Sequence, residues 1–518
     1  MKPTRTLVAA LCATLFALPA WADQTYSVDI AIVGGGLSGL SAALTATEAG
    51  ASAVVLEKLP SLGGAGNFPE GSLGVGTRLQ KKLGIKTTTT DVFKAAIDFH
   101  HWRANAGVLR TLINESGATI DWLEDNGVKF KGIKTMFPPE KSLQIWHIYE
   151  GHGAAVVKTL STNFEKKGGK ILTESPVQRL IFNAEGKVSG VIAKNADGET
   201  ITVNAKSVIL ATGGFASNKA MLDKYVPDSS APGMVEKVMY RGPIVDGRTG
   251  DGINMALTAK AGLAGMDTLA GNSPYLPYEP AIHQFNGPDY LKQTRAALSQ
   301  PFLWVNRHGE RFYNESAGSS FSDVYNAMTS NGGVMYSVFD EAMKQRMIAS
   351  GPLIPFNAIV VPGQKMTALD EGLRKGAEMG FAFKADTLDE LAKKIGVPAA
   401  ALKGSVKQVN EFAAKKSDPE FGRKPEHLVS FNTEKGPYYA LKGIRAFFLT
   451  LGGVQVNRNM QAMTVNGDVI PGLYVTGQDI GGLYDSTYDL LAEGSASSFA
   501  LSSGRIAARH IANTVVKK

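Results

Sequence analysis

"SVDIAIVGGGLSGLSAALTATEAGASAVVLEK", residues 27 to 58, decides the fold. An apolar run from Val28 to Val33 leads into Gly34-Gly35-Gly36-Leu37-Ser38-Gly39, then an alanine-rich helical stretch, then a second apolar run, Ala53 to Leu56, that ends on Glu57. Glycine turns are common in a chain with 57 glycines, so the motif alone is weak. Strand, glycine turn, helix, strand and acid in that order form the βαβ dinucleotide fingerprint. Gly34 makes the tight turn, Gly36 admits a pyrophosphate, and Gly39 lets helix and strand pack closely. Backbone N–H groups at the helix start, around Ser38, face the phosphates. Glu57, 18 residues beyond Gly39, is placed to accept from ribose hydroxyls.

Later segments extend the site and select the dinucleotide. "LEKLPSLGGAGN" (56–67) adds Lys58, Gly63, Gly64 and Asn67. "SVILATGGF" (207–215) reads as a strand ending on Ala211, Thr212 and Gly213, and "IPGLYVTGQDIGG" (470–482) as another running into Gly477 and Gln478. Asp251 in "GRTGDGINMALTAKAG" and the pair Gly494-Ser495 complete the expected cofactor contacts. No second G-x-G-x-x-G follows a strand, so a separate NAD(P) site is not expected.

Composition narrows the class. At 518 residues, 44% hydrophobic and 19% charged, the chain suits an ordinary two-domain globular protein. The first 24 residues, "MKPTRTLVAALCATLFALPAWADQ", read as a secretory leader: basic residues, an apolar run from Leu7 to Leu18, and Ala20-Trp21-Ala22 before the cut. That run is shorter than the roughly 20 residues a spanning helix needs, so export to the periplasm with no remaining membrane span is expected. Losing Lys2 and Arg5 lowers the formal charge from +7 to about +5, spread along the chain, which argues against nucleic acid. The single cysteine, Cys12, leaves with the leader, so the mature chain has no thiolate, disulfide, iron–sulfur or haem attachment chemistry. No His/Asp/Glu cluster stands at ligand spacing, and no metal is expected.

The ordered set "GRTGDGINMALTAKAG", "VNRHGERFYNE", "KADTLDELAKKIGV", "GPYYAL", "LGGVQVN" and the late glycine strand resembles the fumarate reductase/succinate dehydrogenase flavoprotein superfamily over residues 26 to 515. Soluble secreted fumarate reductases and 3-ketosteroid dehydrogenases are the nearer kin. The resemblance implies an α/β fold: a Rossmann-type FAD-binding domain (23–277 and 450–518) with an inserted α+β capping domain (278–449), after a signal peptide (1–22). Within the insert, Thr387 with Glu390 reads as a capping box and Gly396 as a helix stop. The implied cofactor is FAD, and the implied reaction is hydride transfer at a C=C or CH–CH unit.

Departures from the family pattern concern the substrate. Phe448 and Leu449 of "FFLTLGG" stand where fumarate reductases carry two histidines; "AGSSF" (317–321) lacks their proton-donor arginine, and Tyr488 stands at or near their carboxylate-clamping arginine. His283 of "AIHQFNG" is the counterpart of a family histidine. Two carboxylates without opposing charge would be badly solvated, so fumarate is not the expected substrate. Thr487-Tyr488 resembles a Thr-Tyr pair whose phenol holds the substrate carbonyl in the ketosteroid enzymes; Ser319 falls where those enzymes place a base tyrosine, and Tyr325 is a distant substitute. The expected catalytic set is therefore Tyr488, His283, Tyr484 and Ser319. Asp485 and Asp489 would raise a neighbouring phenol's pKa, which suits Tyr488 as a donor rather than a base. His100 and His101 read as surface or core residues, and His147 and His152 as weaker candidates near the cofactor.

The expectation is an FAD-dependent reductase of an activated C=C bond, an α,β-unsaturated acid or enone, fed by a separate periplasmic cytochrome or flavoprotein. A dehydrogenase passing electrons to a quinone or cytochrome, and a non-catalytic flavin electron-transfer protein, stay open beside it.

Overall fold

The computed structural model describes residues 24–135, 142–226, 239–240, 247–278, 287–356, 359–488 and 491–516. The expected leader and His283 lie outside the described residues. The first strand, Gln24–Val33, runs parallel between Thr200–Leu210 and Ala53–Leu56. Lys170–Leu172 extends the sheet on one side and Val469–Val475 on the other, both parallel, and Gln461–Met463 closes it antiparallel. A hairpin of Val177–Phe182 and Val188–Lys194 joins Thr200–Leu210, making eight strands. The central strands are covered on both faces, so Ile30 to Val33 and Val208 to Leu210 read as unbroken apolar runs.

Helix Leu37–Glu48 leaves the glycine turn and is buried from Leu37 through Ala46. It can approach its neighbours so closely because glycine stands at two crossings. A Cβ on Gly39 would fall 1.9 Å from the Gly34 carbonyl oxygen, and one on Gly504, in the C-terminal helix Ser495–Ile511, would fall 2.2 Å from that of Ser38.

The chain between the two parts of this sheet forms a second, antiparallel one, ordered Leu303–Val305, Val334–Asp340, Tyr438–Ile444, Ala382–Ala385. Its apolar core, drawn from Leu276 to Leu441, is separate from the core around the first sheet. The fold is thus α/β, Rossmann-type, with an inserted α+β unit. In the insert Thr387 caps helix Leu388–Ile395 by accepting from the Glu390 N–H at 3.2 Å, and Gly396 ends it at φ +72°. The return bond from Glu390 goes to the Asp386 N–H at 3.3 Å instead of to Thr387, so the capping box is completed one residue early. Among the described residues no helix is long and apolar enough to cross a membrane.

A buried ion network anchors the "ERFYNE" turn of the insert. Glu315 accepts from Arg311 Nη2 at 2.8 Å and Arg423 Nε at 3.0 Å, and Arg311 Nη2 also reaches Asp418 at 2.7 Å. All four side chains are at most 1% exposed. Removing one member leaves its partners charged, buried and short of an acceptor, which costs about 3 to 5 kcal/mol. Glu315→Gln should therefore lower the unfolding midpoint in urea by a corresponding amount, and a midpoint equal to wild type would contradict this role.

Candidate active site

A long pocket with an empty volume of about 1000 Å³, counting space open to solvent, runs along the carboxyl ends of the parallel strands. Twelve of the expected cofactor residues line it: Gly34, Gly36, Ser38, Glu57, Lys58 and the turn pair Gly63-Gly64, then Ala211, Thr212, Gly213, Asp251 and Gln478 across from them. Gly36 and Gly63 face one another in a parallel bridge, giving a floor without side chains where a pyrophosphate would lie. Glu57 lines the pocket at the end of the second strand: its carboxylate accepts from the Gly35 N–H at 2.8 Å and the Leu59 N–H at 2.9 Å. Lys58 Nζ donates to Thr249 Oγ1 at 2.7 Å and Asp251 Oδ2 at 2.6 Å, joining the second strand to helix Asp251–Thr258.

The other expected cofactor residues support the walls. Gly39 lies beneath the turn, and Asn67 Nδ2 holds the Leu62 carbonyl at 3.0 Å within the Gly63-Gly64 turn. Gly477 has φ +66°, and a Cβ there would fall 2.6 Å from Ser38 Oγ. Gly494 opens the C-terminal helix in the left-handed region, and Ser495 is that helix's first residue.

Two wall residues escaped the sequence reading although both sit inside quoted motifs. Asp479, in "TGQDIGG", is fully buried and accepts from the N–H of Thr212 at 2.5 Å, the N–H of Gly214 at 2.8 Å and the Thr212 hydroxyl at 2.8 Å. Burial raises its pKa, and these bonds oppose the rise. Arg248, in "GRTGDG", lines the pocket and donates from Nη1 to the Phe448 carbonyl at 3.2 Å. Burial pushes its pKa down to about 10, which leaves it a cation at neutral pH, as suits an anionic ligand.

Tyr484 and Tyr488 come together, both buried, with ring centres 5.5 Å apart. Tyr484 donates to Ser495 Oγ at 3.1 Å; Ser495 Oγ donates to Tyr488 Oη at 3.2 Å, and so does the Ala496 N–H at 3.2 Å. Neither bond received by Tyr488 uses its own proton. Both hydroxyls point at the N-terminus of the helix whose Ala496, Ser497 and Ala500 line the pocket, where the helix dipole favours negative charge. Asp485 is turned to Arg103, with Oδ1 3.2 Å from Nε; Asp489 lies outside the described residues. The Thr487 hydroxyl is buried and makes no hydrogen bond among the described residues.

The histidines separate. His100 follows helix Thr89–Phe99 and sits edge-on to Tyr484 at 5.7 Å between ring centres; its Nδ1 accepts from the Asp485 N–H at 3.2 Å. His147 is wholly buried between Thr77 Oγ1 at 2.9 Å and the Ile145 carbonyl at 3.0 Å, a packing position, and His152 opens a helix at the surface. Ser319 lies elsewhere, lining a second cavity with Arg295 and Phe321, and Tyr325 packs against Gly271.

The family profile described as "FAD binding domain" matches residues 29–494. The chain belongs to this family. A vinyl phenol reductase of Lactiplantibacillus plantarum is 34% identical over 500 residues, spanning 94% of this chain and 96% of that one. An NADH:fumarate oxidoreductase of Klebsiella pneumoniae is 29% identical over 88% of this chain, which spans only 45% of it. The solved 3-ketosteroid-Δ4-(5α)-dehydrogenase of Rhodococcus jostii RHA1 has a TM-score of 0.72 at 24% identity, over 95% of this chain and 98% of that one, a likeness of fold. The protein binds FAD and is an oxidoreductase acting on C=C or CH–CH bonds.

His100 gives the fold a measurable pH dependence. Burial, the dominant effect, lowers its pKa from 6.5 to about 4, against a smaller opposing effect of the Asp485 carboxylate. A lowered histidine contributes stability above pH 6.5, and that contribution is lost as pH falls towards 4, by about 3 kcal/mol. Urea unfolding at pH 7 and pH 4 should show the difference between wild type and His100→Asn moving by that amount against the wild type.

Proposed function

We propose that the protein is an exported, FAD-dependent reductase of an activated C=C bond in an aromatic or otherwise weakly charged substrate, and not a fumarate reductase. The carrying observation is the wall beside the cofactor pocket: the Tyr484 and Tyr488 phenols, then Phe448 edge-on to Tyr488 at 6.0 Å and Phe321 beyond it at 6.3 Å. Phenols and rings solvate a dicarboxylate poorly and receive an aromatic alkene well. Similarity to a vinyl phenol reductase supports the same reading.

When bound, FAD supplies a hydride to one alkene carbon, and a separate donor returns the two electrons; the neighbouring carbon takes a proton. Tyr488 supplies that proton: its oxygen accepts two bonds at a helix N-terminus, an arrangement that stabilises the phenolate left behind. Phe448 and Phe321 keep water from the reacting carbons. The unit 278–449 acts as a cap over the cofactor domain formed by 23–277 and 450–518. A periplasmic cytochrome or flavoprotein is the electron source in this reading.

Dithionite-reduced protein should be reoxidised by 4-hydroxystyrene or arylacrylates much faster than by fumarate. Tyr488→Phe should lower that rate by about a hundredfold or more while retaining flavin. Fumarate as the best oxidant, or flavin bleaching by saturated substrates with no alkene turnover, would overturn the proposal.

A further inference from the structure

The cavity that contains Ser319 is lined by Phe321, whose ring meets Phe448, and has an empty volume of about 380 Å³, counting space open to solvent. It is close to the cofactor pocket. Leu449, which lines that pocket, pairs with Ala270, and Asn272 of the cavity wall stands two residues on, about 7 Å at the usual strand rise. The wall includes Phe321 and Phe356, suited to an aromatic ring, and the hydroxyl-bearing Ser299 and Ser319. Its charged residue, among the described residues, is Arg295, on helix Asp289–Leu298.

Arg295 is 5% exposed. Its guanidinium carbon lies 3.9 Å from the centre of the Tyr275 ring and 5.0 Å from that of Phe356, and Nη2 donates to Asn272 Oδ1 at 3.1 Å. A guanidinium has five N–H donors, so it can hold a ligand oxygen beside its protein partners. The stretch 317–321 carries no arginine, and a different helix brings one to its side.

We propose that Arg295 receives the phenolic oxygen of a para-hydroxystyrene and holds it as the phenolate, with the ring lying towards Phe448 and the vinyl group at Tyr488. The assignment rests on the reductase reading and narrows its substrate class. A styrene is a poor hydride acceptor until its ring oxygen takes part. Electron release from the phenolate lets the terminal carbon take the Tyr488 proton, giving a quinone methide; hydride then adds to the benzylic carbon and the electron pair returns to oxygen, giving the 4-ethylphenolate. One proton and one hydride enter, the alkene is reduced and the flavin oxidised, and Arg295 faces the oxygen in both anionic states.

The test uses full-length flavoprotein with 4-hydroxystyrene, 4-methoxystyrene and an arylacrylate as oxidants of the reduced form, and 4-ethylphenol as a ligand of the oxidised form. Arg295→Met should lower kcat/KM for 4-hydroxystyrene by about tenfold or more, the scale of one charge-assisted hydrogen bond, with flavin content unchanged. The acid limb of its pH profile should move up towards the free phenol value of about 10, and Arg295→Lys should restore part of both. Bound 4-ethylphenol should absorb as phenolate at pH 7 in wild type and as phenol in Arg295→Met. Wild-type kcat/KM and an unmoved acid limb in the flavin-replete Met variant would overturn the assignment, as would 4-methoxystyrene serving as well as 4-hydroxystyrene. Turnover of arylacrylates alone would overturn it while leaving the reductase reading intact; oxidation by no alkene would overturn both.

Discussion

The carboxylate of Asp479 holds the cofactor pocket together. It takes the backbone N–H groups of Thr212 and Gly214 and the Thr212 hydroxyl, and Thr212 Oγ1 in turn accepts from the Gly252 N–H at 2.9 Å. The end of strand Thr200–Leu210, the start of helix Asp251–Thr258 and the turn after strand Val469–Val475 are thereby tied to one buried group. A carboxylate removed from water is costly unless its lone pairs are filled, and here three donors fill them. The cost of burial is also what gives the arrangement its specificity: no neutral side chain accepts from two backbone N–H groups and a hydroxyl with comparable strength. The left-handed turn at Gly213 and Gly214 accompanies the aiming of the Gly214 N–H at that acceptor.

The same economy governs the phenols. Tyr484, Ser495 and Tyr488 share a helix N-terminus whose next residues line the cofactor pocket, so the helix both presents N–H groups to the ligand side and polarises Tyr488. The segment carrying them is latched from outside by residues 100–105. Asp485 donates its N–H to His100, Asn105 donates its own to the Gly482 carbonyl at 2.7 Å, and Arg103 pairs with the Asp485 carboxylate. His101 and Trp102 adopt positive φ to make that turn, a conformation costly for such residues, and the contacts of the latch offset it.

What the chain states locally, its sequence displays. The glycine fingerprint is legible because each glycine answers a contact made within one βαβ unit, and Gly34, Gly39 and Glu57 stand where that unit requires them. The later strands were equally plain, since an apolar run ending in glycines has few other readings. Asp479, Arg248, His100 and Arg295 were not legible as site residues, although the first two lay in plain view within motifs. Their roles depend on which distant strand end or ring they meet, and an aspartate after a glycine reads the same whether it caps a turn or clamps three segments. His100 reads as a core histidine and is one; only its neighbour Tyr484 makes it relevant. Ser319 shows the converse: the family resemblance marks its position, and the structure places it in a cavity that Arg295, 24 residues earlier in sequence, also lines.

Charge distribution is the basis for the proposal that a fold shared with dicarboxylate enzymes serves another substrate here. In such a fold the cofactor face needs one hydride path and one proton path, and both can be built without a cation over the alkene. The Tyr488 oxygen sits at a helix terminus, a fixed source of positive potential that does not pair with a carboxylate as an arginine would. Arg248 and Lys58 line the cofactor pocket, and Arg295 lines the cavity that Phe321 shares. A substrate with two carboxylates flanking its double bond would leave at least one of them against Phe448 and the phenol rings.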